Sequence, residues 1–222
     1  MKTLRILAID DHEMTMLGYK FILERLVFDD TNIIVDTANT FDTGKARIEE
    51  SVNSFKYDII FLDVQLFPPD EDQPHNGEDL GVLARKLVPE SKIVFMSSFS
   101  DNYRINSILK SVDPDGYLVK TDIDPKTLED AIKTIIDGTP YYSAKVLSAI
   151  RKKMSNDIIL DEKDKKILYH LSIGTKTKDL ENHVQLSSSS IENRKRHLKS
   201  LFGTENKNDL ALILEAKKRG FI

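Results

Sequence analysis

The sequence predicts an α/β doubly wound protein, built on a five-stranded parallel sheet and followed by a smaller all-α domain of four helices. Three observations carry this. Short apolar runs that do not alternate recur five times in the first 140 residues, and an amphipathic stretch follows each. Past Gly138-Thr139-Pro140 no further strand run occurs, and only helical periodicity continues. Charge divides at the same place: residues 1–150 hold 16 Lys+Arg against 26 Asp+Glu, whereas 151–222 hold 16 against 10, so an acidic body carries a basic tail piece.

The strand candidates are Leu4–Ile9, Ile33–Val35, Asp58–Leu62, Lys92–Met96 and Gly116–Val119. Rich in Ile, Val, Leu and Phe, they have the composition of strands buried on both faces. The helices between them are placed at about Glu13–Leu26, Thr43–Ser51, Gly77–Leu87, Asp101–Lys110 and Pro125–Asp137. Leu17, Phe21 and Leu23–Leu26 recur at helical spacing in the first, and Leu128, Ala131, Ile132, Ile135 and Ile136 form one stripe in the last. Pro125 after Asp124 opens that last helix and Gly138 closes it. Repeated strand–helix units imply a parallel sheet whose function lies at the carboxyl ends of its strands.

Ser143–Lys153 is expected to be a basic helical connector and Ser155-Asn156-Asp157 a hinge. Helices follow at about Glu162–Leu171, Lys178–Val184, Ser188–Phe202 and Asp209–Arg219, the last capped by Asn208 and stopped by Gly220. The domains are accordingly 1–139, a linker over 140–157, and 158–222.

Composition narrows the chemistry. The chain has 222 residues and no cysteine, which excludes disulfide frameworks, thiolate zinc sites and cysteine nucleophiles. Its apolar runs are far shorter than the ~18–20 residues of a membrane span. Met1–Arg5 leads too quickly to Asp10 and Asp11 for a signal peptide, so a cytoplasmic setting is expected. His12, His75, His170, His183 and His197 lack ligand spacing with one another and are taken as surface or capping residues.

The strand ends carry the informative residues. Asp10 and Asp11 follow the first strand, Asp63 the third, Ser97 and Ser98 the fourth, and Lys120 the fifth. An aspartate after a strand is ordinarily a cap or turn former, and each residue alone says little. Their joint occurrence at four strand ends says more, because a doubly wound sheet brings those ends to one crevice. Three carboxylates there repel unless a cation compensates, and oxygen-only ligands suit magnesium. Lys120 and Ser97 could hold phosphoryl oxygens, and a carboxylate beside them could accept a phosphoryl group.

Residues 1–139 resemble the receiver domain of two-component response regulators, a flavodoxin-like fold. The resemblance lies in LAIDDHE, IIFLDVQ, IVFMSS and DGYLVK, with Tyr117 where that family keeps a switch aromatic. It implies that Asp63 is the phosphoacceptor and that Asp10, Asp11, Asp63 and the Gln65 carbonyl hold magnesium. Ser97 and Lys120 would grip the phosphoryl group while Tyr117 rotates; the plain alternative for Tyr117 is a half-buried aromatic on an edge strand. One departure stands out: Pro68–Asn76 stretches the distance from Asp63 to Gly77 to 14 positions, which is expected to be a tolerated loop insertion.

In the basic piece, Lys176–Arg196 offers helix, short turn and second helix. Ser187 could cap the second helix directly, or Ser189 with Glu192 could form a capping box. An Ile191-Leu198-Leu201-Phe202 stripe faces inward, leaving Asn193, Arg194, Lys195, Arg196 and Lys199 to contact phosphates and reach base edges. Leu160–Ile222 resembles the LuxR/NarL-type four-helix, helix-turn-helix DNA-binding domain through LDEKDKKIL, KDL, LSSSSIENRKRHLKSLF and NDLALILEAKKRGFI. The resemblance makes Ser188–Phe202 the recognition helix, with Ser188 and Ser190 also among its DNA contacts, and the final helix the dimer contact. It departs at Glu181, Leu201 and Arg194, where that family usually has alanine, lysine and histidine.

The expected function is that of a response regulator, not an enzyme. A sensor histidine kinase phosphorylates Asp63, and the protein, as a homodimer, then binds double-stranded DNA to regulate transcription. Two other classes fit the same residues. A magnesium-dependent phosphohydrolase would share the acidic pocket, although Gln65, two residues after Asp63, cannot transfer protons. A phospho-switched interaction module would bind no DNA.

Overall fold

A computed structural model describes residues 2–26, 31–66, 76–98, 102–154 and 158–222. The insertion after Asp63 falls, apart from Asn76, outside the described residues, as does the hinge at 155–157. By contacts the chain divides into two compact units, 1–100 with 108–146, and 147–222 with 101–107.

In the first unit the apolar runs form β1 (Lys2–Ile9), β2 (Thr31–Ala38), β3 (Ile59–Asp63), β4 (Lys92–Ser97) and β5 (Gly116–Val119). All pair in parallel in the order β2-β1-β3-β4-β5. Every residue of β3 and of β5 is buried, as expected of strands covered by helices on both faces. One correction concerns the count. Tyr141–Tyr142 adds β6, parallel to β5, so the sheet has six strands among the described residues rather than five. Tyr141 N–H donates to Asp115 O and Ser143 N–H to Tyr117 O, both at 3.0 Å. A two-residue strand is too short to leave a periodic signal. With β6 in place, β5 is an interior strand.

The helices are α1 (Glu13–Leu23), α2 (Phe41–Asn53), α3 (Gly77–Leu87), α4 (Asn102–Ser111) and α5 (Pro125–Ile136). Capping boxes at Thr40/Thr43 and Asn76/Asp79 start α2 and α3, and Asp124 caps α5 ahead of its first-turn proline. Leu128, Ala131, Ile132 and Ile135 of α5 enter the core beneath β1 and β3, as their spacing predicts. In α1 the buried face is Met16, Tyr19 and Leu23, and the expected stripe is turned out: Leu17 and Phe21 are 51% and 57% exposed. The helix also stops at Leu23, because Arg25 N–H and Leu26 N–H bond to the carbonyls three residues back and tighten the last turn.

A connecting helix, α6 (Ala144–Met154), precedes the second unit's α7 (Glu162–Ser172), α8 (Glu181–Val184), α9 (Ser188–Leu201) and α10 (Asp209–Lys218). The helix expected over Lys178–Val184 divides into a 3-10 turn, Thr177–Asp179, and the single turn of α8. Gln185, at φ 53°, ends α8 in the left-handed conformation common at helix stops. Ile167, Leu168, Leu180, Ile191, Leu198 and Leu212 form the centre of a separate core.

Candidate phosphoryl site and nucleic-acid face

Strand register builds the acidic site. Ile9 pairs with Leu62, so Asp10 and Asp63 are the next residues along neighbouring strands. Asp63 pairs with Met96, the residue before Ser97, and Ser97 pairs with Val119, the residue before Lys120. The order β2-β1-β3 reverses the direction of winding between β1 and β3, and that switch point is where such sheets open a crevice.

Lys120 Nζ lies 2.7 Å from Asp10 Oδ2 and 2.7 Å from Asp63 Oδ2. The side chains of Asp10, Asp63 and Lys120 are 0%, 5% and 12% exposed, so one ammonium is shut in with two carboxylates. Burial alone would lower the Lys120 pKa, but the hydrogen bonds and charges of Asp10 and Asp63 outweigh it and hold the ammonium above its ordinary value. Burial raises the Asp63 carboxyl; Lys120 pulls it down, and the neighbouring Asp10 pushes it up again. Gln65 N–H donates to Asp63 Oδ1 at 3.2 Å.

Among the described residues, Asp10, Asp11, His12 and Asp63 offer ligand atoms within 4.8 Å of one another. Three carboxylates against one ammonium leave two negative charges, which a divalent cation would balance. The oxygen donors fit a hard ion such as magnesium. His12 was not recognised as a site residue from its spacing. It does sit at the N-cap position of α1, yet its Nδ1 lies 2.7 Å from Asp11 Oδ1 and 3.2 Å from Asp10 Oδ1. The available signal was its place directly after the aspartate pair.

The remaining residues surround this knot. Ser97 is buried at the end of β4, and Tyr117 is buried completely, its ring stacked on Phe95 with centroids 6.1 Å apart. It is thus not the half-buried edge aromatic of the plain alternative. Gly77, the first residue of α3, lies so close to the end of β3 that a Cβ there would come within 1.8 Å of Asp63 O. Only glycine lets that helix start where it does.

The second unit sorts the residues expected to meet DNA. Ser187 Oγ accepts from Ser190 N–H and caps α9, which settles the capping alternatives and leaves Glu192 out of a capping box. Ser188, Asn193 and Arg196 are exposed and Ser190 is partly so. Three of the basic residues are engaged within the unit. Arg194 Nη1 bonds to Asp161 Oδ2 and Asp164 Oδ1, both at 2.7 Å, and these bonds raise its already high pKa. Lys195 Nζ bonds to Thr177 Oγ1 at 2.9 Å and pairs with Asp209 Oδ2 at 2.8 Å. Lys199 Nζ pairs with Asp209 Oδ1 at 2.8 Å and donates to Lys207 O at 2.9 Å.

The reason is geometric. At 3.6 residues per turn, position 195 falls in line with Ile191, Leu198 and Phe202, and all four are buried. Leu201, assigned to the inward stripe, is 37% exposed instead. Glu181 is exposed at the start of α8 and does not intrude between helices. His170 and His183, which sequence spacing does not connect, stack with centroids 4.2 Å apart.

No protein-family model matches the chain. It is 25% identical to the oxygen regulatory protein NreC of Staphylococcus haemolyticus over 231 residues, spanning 97% of this chain and 98% of the relative. The NreC of Staphylococcus epidermidis is 22% identical over 232 residues, with the same coverage. Among solved structures, one of two RcsB dimers bound to two parallel DNAs has a TM-score of 0.63 at 16% identity, covering 97% of this chain and 98% of that one. RcsB of Salmonella enterica serovar Typhimurium bound to promoter P1flhDC, in the presence of phosphomimetic BeF3-, has a TM-score of 0.62 at 19% identity, covering 96% and 97%. The likeness in sequence to NreC and the likeness in fold to RcsB thus each run along nearly the whole of both chains compared.

Proposed function

We propose that the protein is a phosphorylation-controlled transcription regulator, with 1–139 as a receiver, 140–157 as linker and 158–222 as a four-helix, helix-turn-helix DNA-binding domain. A sensor histidine kinase in the cytoplasm passes a phosphoryl group to Asp63. The observation that carries this reading is the buried knot in which Lys120 lies 2.7 Å from both Asp10 and Asp63. A salt bridge so enclosed is weak support for stability as such, since hydrophobic residues of similar volume do as well. It suits a site that must receive further charge.

Asp63 Oδ attacks the phosphorus of the phosphohistidine as the bond to the kinase imidazole breaks, which returns the nitrogen to the kinase. Asp10, Asp11, Asp63 and the Gln65 carbonyl would hold magnesium, which when bound neutralises charge on the transferring group. Lys120, already between Asp10 and Asp63, offers an ammonium to a phosphoryl oxygen, and Ser97 a hydroxyl. Drawing Ser97 and Lys120 toward the new group moves the ends of β4 and β5. Tyr117 of β5, its ring stacked on Phe95 of β4, is the side chain whose rotation would report that movement. The phosphorylated conformer must be favoured by a few kcal/mol to shift the population usefully.

The active conformer binds double-stranded DNA as a homodimer through α9. The relatives support this, because RcsB is described as dimers bound to DNA. The basic balance of the second unit supplies attraction to phosphates. The test is DNA affinity of the whole chain with and without a small phosphodonor and magnesium. Affinity should rise for the native protein and stay constant for Asp63→Asn. Equal gains in both would contradict the reading, and sustained turnover of a phosphate ester would favour the phosphohydrolase instead.

A further inference from the structure

Basic character alone nominates Arg194, Lys195, Arg196 and Lys199 as the DNA-reading set of α9. The contacts favour a different one. Arg194 is tied to α7 through Asp161 and Asp164, and Lys195 and Lys199 are tied to Asp209 at the start of α10. Pulling Arg194 away would leave the nearly enclosed Asp164 without its cation, and pulling Lys195 or Lys199 away would take from Asp209 one of its two lysines. Among the exposed residues of α9, Glu192, Asn193 and Arg196 lie within one turn of one another and can offer a carboxylate, an amide and a guanidinium. Arg196 makes one long bond, 3.4 Å, to Asn193 Oδ1. Glu192, whose side chain is 56% exposed, makes one at 3.4 Å to a lysine already better paired elsewhere.

An acid on a DNA-facing helix is informative. A carboxylate cannot hold a phosphodiester; it repels one. In the major groove its good partners are amino groups, above all cytosine N4, while arginine matches the O6 and N7 of guanine and asparagine the N6 and N7 of adenine. We infer that Glu192, Asn193 and Arg196 are the base-reading residues of α9, that Glu192 selects cytosine, and that Arg194 is a positioning residue that fixes α9 on α7. This rests on the reading of the second unit as a DNA-binding domain. Against a wrong base pair the Glu192 carboxylate is desolvated and left without a donor, so it acts by rejecting sites as well as by accepting them.

The experiment is selection of bound sequences from a random duplex pool by the full-length protein under phosphodonor, together with affinity for an unselected duplex across salt concentrations. Native protein should yield a motif containing a C·G pair with about ten- to hundredfold discrimination at that position. Glu192→Gln should lose that preference, moving toward adenine. It should bind the unselected duplex more tightly, because a repulsive charge is gone, and melt at an unchanged temperature. Arg194→Ala should keep the motif and melt lower. An unchanged motif for Glu192→Gln would overturn the proposal. So would a rewritten motif at unchanged melting temperature for Arg194→Ala. Failure of the native protein to bind any duplex in a salt-dependent way would instead remove the DNA-binding reading itself, and needs no variant to be recognised.

Discussion

Replacing Lys120 with methionine tests how much the acidic knot depends on its one ammonium. The methionine keeps the length and apolar stem of the lysine and removes only the charge. What it leaves behind is Asp10, wholly buried, and Asp63, nearly so, each having lost a partner at 2.7 Å. Removing one member of a buried ion pair typically costs about 3–5 kcal/mol, because the charge left behind is desolvated without compensation. Here two carboxylates are left at once, so the upper part of that range is expected in chelator.

Two further measurements separate this cause from lost packing. Adding Asp63→Asn to Lys120→Met removes one of the stranded charges, so the double variant should be more stable than Lys120→Met alone. Magnesium should also restore more stability to Lys120→Met than it adds to the native protein, by mass action on a site with greater excess negative charge. A chain of two units need not unfold in one step, so the assay is hydrogen exchange of β1 and β3 amides through a urea series. A loss under about 1 kcal/mol, or strict additivity of the two substitutions, would refute the argument, because independent sites add and coupled ones do not.

Other substitutions test the scaffold. Asp115 accepts from Arg85 Nη2, Lys92 Nζ and Ile93 N–H at 2.9, 3.0 and 3.0 Å, so Asp115→Asn should destabilise the first unit by about 2 kcal/mol, read by urea melts at neutral pH. Burial would raise that carboxyl, but these bonds outweigh it and hold it below its ordinary 3.8. Its contribution is therefore present above about 3.8 and disappears as pH falls through the lowered value, and the difference between the two proteins should close there. Gly77→Ala places a methyl against Asp63 O and should cost about 1–3 kcal/mol while slowing phosphoryl acceptance; an unaltered rate would contradict the close approach. Asp124→Ala removes the cap that accepts from Thr127 N–H and should lower the stability of α5 by about 1 kcal/mol, visible as faster amide exchange in its first turn.

The cluster of Asp10, Asp63 and Lys120 was legible in sequence for a structural reason. Parallel strands end at one edge, so Asp10, Asp63, Ser97 and Lys120 could be gathered without knowing a single side-chain contact. What escaped was whatever depends on which side of an element faces inward. In α1 both Leu17/Phe21 and Met16/Tyr19/Leu23 keep helical spacing, and spacing alone does not say which stripe meets the sheet. In α9 the residue type pointed Lys195 outward while its position, four after Ile191, pointed it inward, and position prevailed because Thr177 and Asp209 satisfy the ammonium. Strand β6 was too short to register, and His12 was passed over because its partners are its own neighbours rather than a second histidine.

The whole account depends on Asp63 becoming an acyl phosphate within that knot. The direct measurement is to treat the full-length protein with magnesium and a small phosphodonor, trap the product by borohydride reduction, and map the modified peptide. The account predicts a single reduced position at Asp63, with no trapped product in Asp63→Asn. Reduction at another carboxylate in the native protein, or at none while the phosphoryl label is retained elsewhere, would contradict it.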